Sequence, residues 1–297
     1  MTTKKTVSFG TYPQNLVTDN AIISALGGYD SSWKSYKYVL GTFEEKKAPL
    51  FEDYMFYADK VYNGKKYRGV YFTKYRTDIP LLESRPSGSR QPKHGYNINT
   101  VYWFEYAPIV WEVLDKKDGG VLLLTQKAID SQEFYFYADS TKKVRKEYQG
   151  ESGDVYDNNY KFSKIREWLN TMFYKTAFSP SEQAKILITT QDNSPLSTGL
   201  EVNKFTCENT KDKVFLLSVE EVNKYLPILE ERLKLGTDYA KSQNLWLSSK
   251  GYCGMWWLRS PYQLYESSVK NIFFNGKIDS CGAFGTTTGV VVAIVVK

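Results

Sequence analysis

The chain has 297 residues, 42% hydrophobic and 24% charged, a balance that suits a folded protein able to bury its own core without staples. Its net charge of +6 comes from scattered Lys and Arg, which argues against a nucleic-acid-binding stripe. No stretch nears the roughly 18 apolar residues of a membrane span. One histidine, His94, and three cysteines, Cys207, Cys253 and Cys281, form no CxxC pair and no disulfide framework. Neither a metal nor an organic cofactor is therefore expected, although calcium stays open because oxygen ligands are plentiful. Aromatic residues are abundant, with Tyr 24, Phe 16 and Trp 7. Most of them read as core and strand surface. The first residues, Met1-Thr-Thr-Lys-Lys-Thr, show no apolar run behind them, so the expectation is a cytoplasmic protein unless a leader has been removed.

In chain order, Val7 to Tyr12 predicts a short strand ending at Pro13. A small helix follows, with Thr18 and Asp19 as caps and Gly27-Gly28 as its stop. Residues 29 to 50 read as irregular. Tyr54 to Tyr62, Asn63-Gly64 and Lys65 to Thr73 predict a hairpin, because a type I′ turn needs positive φ twice. Residues 76 to 99 read as a long loop. Val101 to Tyr106 and Ile109 to Asp115 read as two strands, turned by Asp118-Gly119-Gly120 into Val121 to Thr125. Asp130 and Glu133 predict the start of a short helix. Residues 139 to 160 read as another loop.

The clearest helix runs from Lys164 to Phe173 with Ser163 as N-cap. Ile165, Trp168, Leu169, Met172 and Phe173 make its apolar stripe. Ser179-Pro180-Ser181-Glu182 predicts a second helix with a capping box. Phe215 to Glu221 reads as a strand entering a helix, with Ser218 and Glu221 as the capping box, a Leu217–Val222 staple and Pro227 as the stop. Met255 to Ser260, Val269 to Phe274, an Asn275-Gly276 turn, Lys277 to Ser280 and Val290 to Val296 predict C-terminal strands. The last is expected to be a central strand buried on both faces.

Several phrases occur in a fixed order: Phe9-Gly-Thr-Tyr-Pro-Gln14, Tyr67-Arg-Gly-Val-Tyr-Phe72, Asn99-Thr-Val-Tyr-Trp-Phe104 and Pro108-Ile-Val-Trp-Glu-Val-Leu114. Ser163-Lys-Ile-Arg-Glu-Trp-Leu-Asn170, Asp212-Lys-Val-Phe-Leu-Leu-Ser-Val-Glu220 and Trp256-Trp-Leu-Arg-Ser-Pro261 follow them. Together they resemble an uncharacterised bacterial family, common in gut Firmicutes, that is known only as a domain of unknown function. The second half also resembles the C-type-lectin-like fold in its formylglycine-generating-enzyme style. The matching pieces are Trp168-Leu169, Leu217 to Glu221, Leu258-Arg259 and Gly289-Val290-Val291. Val291 departs from that pattern, since an Arg often stands there. The resemblance implies an α+β fold with an antiparallel sheet, two or more helices and long loops. It implies one domain over 1–297, with a hairpin-rich part (1–100) packed on a C-type-lectin-like part (101–297).

No catalytic constellation emerges from the residues. The Glu-Pro-Asn and Trp-Asn-Asp triplets of calcium lectins are absent. Cys253 and Cys281 are a loose echo of the formylglycine enzymes' cysteine pair, and free cysteines are more often simply buried. What remains is the aromatic segment from Tyr252 to Thr288. Its contact residues are expected to be Trp257, Arg259, Tyr262, Tyr265 and Phe284, because Trp, Tyr and Arg dominate binding hot spots and loops on a rigid base carry them. Alternation along the strand points one of Trp256 and Trp257 inward, and Trp256 is the choice. The bland alternative is that these rings complete the core. The expectation is thus a non-enzymatic domain that binds a protein or glycan ligand, akin to the variable proteins of diversity-generating retroelements. The alternatives are a formylglycine-generating or carbohydrate-processing enzyme, and a phage or cell-surface adhesion module.

Overall fold

The computed structural model describes residues 4–36, 54–76, 89–135 and 155–297. Of the loops expected at 29–50, 76–99 and 139–160, residues 37–50, 77–88 and 139–154 lie outside the described residues, and 89–99 contains a short turn of helix at Pro92–His94. Two sheets organise the chain. An eight-stranded antiparallel sheet runs in the order Val214–Phe215, Ala293–Val296, Gly120–Thr125, Val101–Lys117, Lys65–Phe72, Met55–Tyr62, Lys34–Ser35, with Thr6–Leu16 also paired to Val101–Lys117. A five-stranded sheet runs Ile278–Gly282, Ser268–Phe273, Met255–Pro261, Gly289–Val290, Asp130–Ser131. It is antiparallel apart from the parallel contact of Met255–Pro261 with Gly289–Val290. With its short helices the molecule is a mixed α+β fold. Among the described residues no helix is long and apolar enough to cross a membrane.

The turns follow from local chemistry. Asn63 and Gly64 have φ of 48° and 74°, and Asp118 and Gly119 have 51° and 79°, the left-handed pairs that a two-residue hairpin turn requires. At 273–277 only Gly276 is left-handed. Its N–H bonds the Phe273 carbonyl and the Phe273 N–H bonds the Lys277 carbonyl. That turn is therefore longer than an Asn-Gly pair alone suggests.

Four expectations about elements change. Thr6–Leu16 continues through Pro13, which sits at a register shift where a missing N–H is tolerated. Val101–Lys117 is one strand of 17 residues rather than two. It carries partners along its whole length: Lys65–Phe72 at its start, Gly120–Thr125 at its end and Thr6–Leu16 across the middle. Asp130 opens no helix. Asp130–Ser131 is a strand against Gly289–Val290, and Glu133 pairs with Arg76. The apolar C-terminal segment is buried on both faces but does not form one strand. Gly289–Val290 belongs to the smaller sheet and Ala293–Val296 to the larger. Val292 crosses between them, exchanging hydrogen bonds with the backbone and hydroxyl of Thr125. Val290, Val292 and Ile294 face one core, while Val291, Ala293 and Val295 face the other.

The helix at 164–177 also departs from a plain 3.6-residue repeat. Lys164–Trp168 is α-helical, Leu169–Phe173 widens into a π turn, and Tyr174–Ala177 returns to α. The wide turn rotates the stripe. Leu169, Phe173 and Tyr174 are buried, Trp168 is half-buried and Met172 is 46% exposed. Asn170, inside the wide turn, bonds the carbonyl of Val214 and accepts from the N–H groups of Lys213 and Val214, fastening the helix to that strand.

Candidate functional site: a cleft at the C-terminal loops

The strand Met255–Pro261 lies between two cores. Trp256 and Leu258 pack into one and Trp257 into the other. Alternation holds, but both faces are covered, so the expectation that Trp257 reaches the surface is corrected. Its ring meets Phe134 edge-on at 5.7 Å, and its N–H donates to the Gln132 carbonyl at 2.7 Å.

Arg259 is likewise internal. It donates to the Leu216 carbonyl at 2.8 Å and the Asp192 carbonyl at 3.1 Å, and it is ion-paired with Glu221. Glu221 is already fixed by the capping box with Ser218. Burial pushes its carboxyl up, but the Arg259 guanidinium outweighs that and holds it at about 2. Arg259 is a structural clasp rather than a contact residue.

Tyr262 and Tyr265 lie on the connection between two strands, their rings 5.9 Å apart. Tyr262 is half-buried, with the Lys270 ammonium 4.5 Å from its ring centre. Tyr265 is 62% exposed. They form a small ledge anchored by Asn158, whose amide donates to the carbonyls of Tyr265 and Ser268.

Phe284 belongs elsewhere, in a cleft of about 360 Å³ that it lines with Trp246, Met255, Cys281, Thr287 and Thr288. That volume falls in the range of small-ligand pockets. The walls are built from the backbone. Trp246 N–H bonds the Thr287 carbonyl at 3.0 Å, and Gly254 N–H bonds the Trp246 carbonyl at 2.7 Å. The Trp246 ring lies so close to Gly254 that a Cβ there would overlap it. The ring also meets Phe273 at 5.7 Å and Phe274 at 6.0 Å. Asn244, left-handed at φ 91°, ties the back of the cleft together: its amide donates to Thr286 and accepts from the Arg90 N–H. Phe284 packs over Gly282, where again only a hydrogen fits. On the strand beneath, Asn271 is fully buried beside Cys281, and neither end of its amide makes a hydrogen bond of ordinary geometry.

A second, polar hollow lies under the wide helical turn, lined by Tyr12, Tyr36, Arg68, Asp130 and Tyr239, with Trp168 and Met172 among its other lining residues. At about 30 Å³ it has room for one water. Tyr12 donates to Asp130 at 2.7 Å, and Tyr36 and Tyr239 share a 2.8 Å bond. Burial pushes the Asp130 carboxyl up to about 6. Sequence reasoning missed this network. Its members lie far apart in the chain, on strands, a loop and the helix Asp238–Ser242, and only Tyr12 and Arg68 fall inside the ordered phrases.

Two of the cysteines and the histidine are held in structural settings. Burial pushes the thiols of Cys253 and Cys281 up to about 12, which keeps them protonated and poor nucleophiles. His94 Nε2 sits 2.7 Å from the Leu245 carbonyl, a structural bond. Among the described residues no three His, Cys, Asp or Glu side chains gather as a metal site.

Fold and site together define an aromatic-rich α+β structure with a ligand-sized cleft and, among the described residues, no grouped metal ligands. Residues 119–297 match the family described as Domain of unknown function (DUF6273), and the chain belongs to that family. The phrases at 163–170, 212–220 and 256–261 lie inside the matched region, and the four earlier phrases lie before it. Neither the curated proteins nor the solved structures give a match.

Proposed function

We propose that the chain is a non-enzymatic ligand-binding module whose contact surface is the C-terminal cleft around Trp246 and Phe284. The observation that carries this reading is the cleft itself: a concavity of about 360 Å³ with an aromatic wall, two threonines and backbone-fixed loops. Preformed walls limit the entropy lost on binding. In this reading 101–297 has a C-type-lectin-like layout, 1–100 packs on it, and the loops after the Met255–Pro261 strand display the ligand. The role would suit a retroelement-type variable protein or a surface adhesion module. A formylglycine-generating enzyme would need a thiolate at Cys253 or Cys281; Cys281 lines the cleft, but burial pushes both thiols up to about 12, which works against that alternative.

The test is a ligand screen read by thermal shift on the wild type and on Phe284→Ala. Hits that raise the wild-type midpoint but not that of Phe284→Ala support the cleft. Hits that stabilise both equally place binding elsewhere.

A further inference from the structure

The cleft sits at the end of an open sheet edge, and this relationship narrows what binds. Ile278–Gly282 is the terminal strand of the five-stranded sheet, and among the described residues nothing pairs with its outer side. The register shows which backbone groups face out. Phe273 bonds Lys277, and Ala283 N–H bonds the Ser267 carbonyl at 2.8 Å. These two bonds fix the alternation, so 277, 279, 281 and 283 point their backbone groups toward Ser268–Phe273. Ile278, Ser280 and Gly282 therefore point theirs away from the sheet. The Ser280 N–H agrees, since it donates to the solvent-facing Asp279 carboxylate at 2.8 Å. The Gly282 carbonyl is taken by Gly285 N–H. This leaves the Ile278 N–H and C=O, the Ser280 C=O and the Gly282 N–H in a row at two-residue spacing. Cys281 and Gly282, at the far end of that row, line the cleft.

Resting on the reading of the cleft as the contact surface, we propose that the ligand is an extended peptide that adds a strand to the Ile278–Gly282 edge and drops one large apolar side chain between Trp246 and Phe284. Two-residue spacing of outward donors and acceptors is the complement of an extended chain, and a pocket beside it reads one side chain. A free small molecule would use the cleft but not the edge.

The test selects binders from a displayed library of random dodecapeptides and titrates the best one, as a synthetic peptide, against the wild type, Ser280→Pro and Phe284→Ala. Proline at 280 replaces the outward N–H that Asp279 holds with a ring lying across the docking edge, so it blocks an added strand while breaking no bond to Ser268–Phe273. The expected result is an unchanged thermal midpoint for Ser280→Pro, with peptide affinity falling about tenfold or more in both variants. Backbone N-methylation of the peptide at alternate positions, which leaves the protein untouched, should abolish binding in one parity and spare it in the other. Peptides lost in Phe284→Ala but indifferent to Ser280→Pro and to N-methylation overturn strand addition while sparing the cleft. Peptides indifferent to every change overturn both readings. A library that yields no binder, or an edge that only pairs two copies of this chain, also overturns the proposal.

Discussion

Arg259 and Glu221 hold each other inside the protein, and the same carboxylate accepts the Ser218 N–H at 3.0 Å and the Lys117 ammonium at 3.2 Å. One side chain thus caps a helix, neutralises a buried guanidinium and reaches the eight-stranded sheet. Removing one partner leaves the other charged in the interior, at a cost of about 3–5 kcal/mol. Glu221→Ala and Arg259→Ala should both lower the urea midpoint strongly, and Arg259→Ala should do so without a selective loss of ligand affinity. An Arg259→Ala protein of wild-type stability would contradict the clasp.

The two perturbed carboxylates give opposite pH signatures. Glu221 falls from 4.5 to about 2 on folding. Its stabilisation is complete above 4.5 and is lost as the pH drops toward 2. Asp130 rises from 3.8 to about 6. Its favourable contribution is complete below 3.8 and is lost as the pH climbs through 6. Relative to wild type, Asp130→Asn should therefore look better at pH 8 than at pH 4. Urea titrations at a series of pH values read both, and a pH-independent difference for Asp130→Asn would rule out the Asp130 assignment.

The wide helical turn predicts an order of costs along one helix. Phe173→Ala removes a fully buried ring and should cost about 3–5 kcal/mol. Trp168→Ala, at a half-buried ring, should cost less than the fully buried reading of its stripe implies. Met172→Ala should be close to neutral, within about 0.5 kcal/mol. Chemical denaturation of the three variants tests the order, and a Met172 cost equal to that of Phe173 would mean an unbroken α-helix.

Tyr265→Ala should change stability by no more than about 0.5 kcal/mol, because the ring is largely in solvent. Gly254→Ala should instead push the Trp246 ring off its seat and weaken ligand capture. If Tyr265→Ala weakens capture and Gly254→Ala does not, the contact surface is the tyrosine ledge.

Much of the fold was legible in local chemistry. The Asn63-Gly64 and Asp118-Gly119 turns, the Ser179 and Ser218 capping boxes and the Asp19 cap all occur where their residue types require. These signals act over a few residues. What local patterns do not carry is partner choice. Val290 to Val296 shows its burial plainly but not that it serves two sheets, because apolar β-branched residues suit either. Trp257 and Arg259 were misplaced for a related reason. Aromatic and Arg density marks hot spots and cores alike, and the covering face comes from Phe134, Gln132 and Glu221, which lie far away in the chain. Phe284, expected as a contact residue, lines the cleft together with Trp246, which the sequence does not single out because it stands before the segment where the aromatics cluster.

The seven tryptophans provide the most direct test of the cleft. The indole N–H groups of Trp103, Trp111, Trp256 and Trp257 are all bonded to backbone carbonyls, whereas Trp246 lines the cleft. In a two-dimensional NMR titration with a selected ligand, the account predicts that the Trp246 indole resonance moves with saturable dependence while those four stay in place. A ligand that binds with saturation yet leaves the Trp246 resonance unmoved would contradict it.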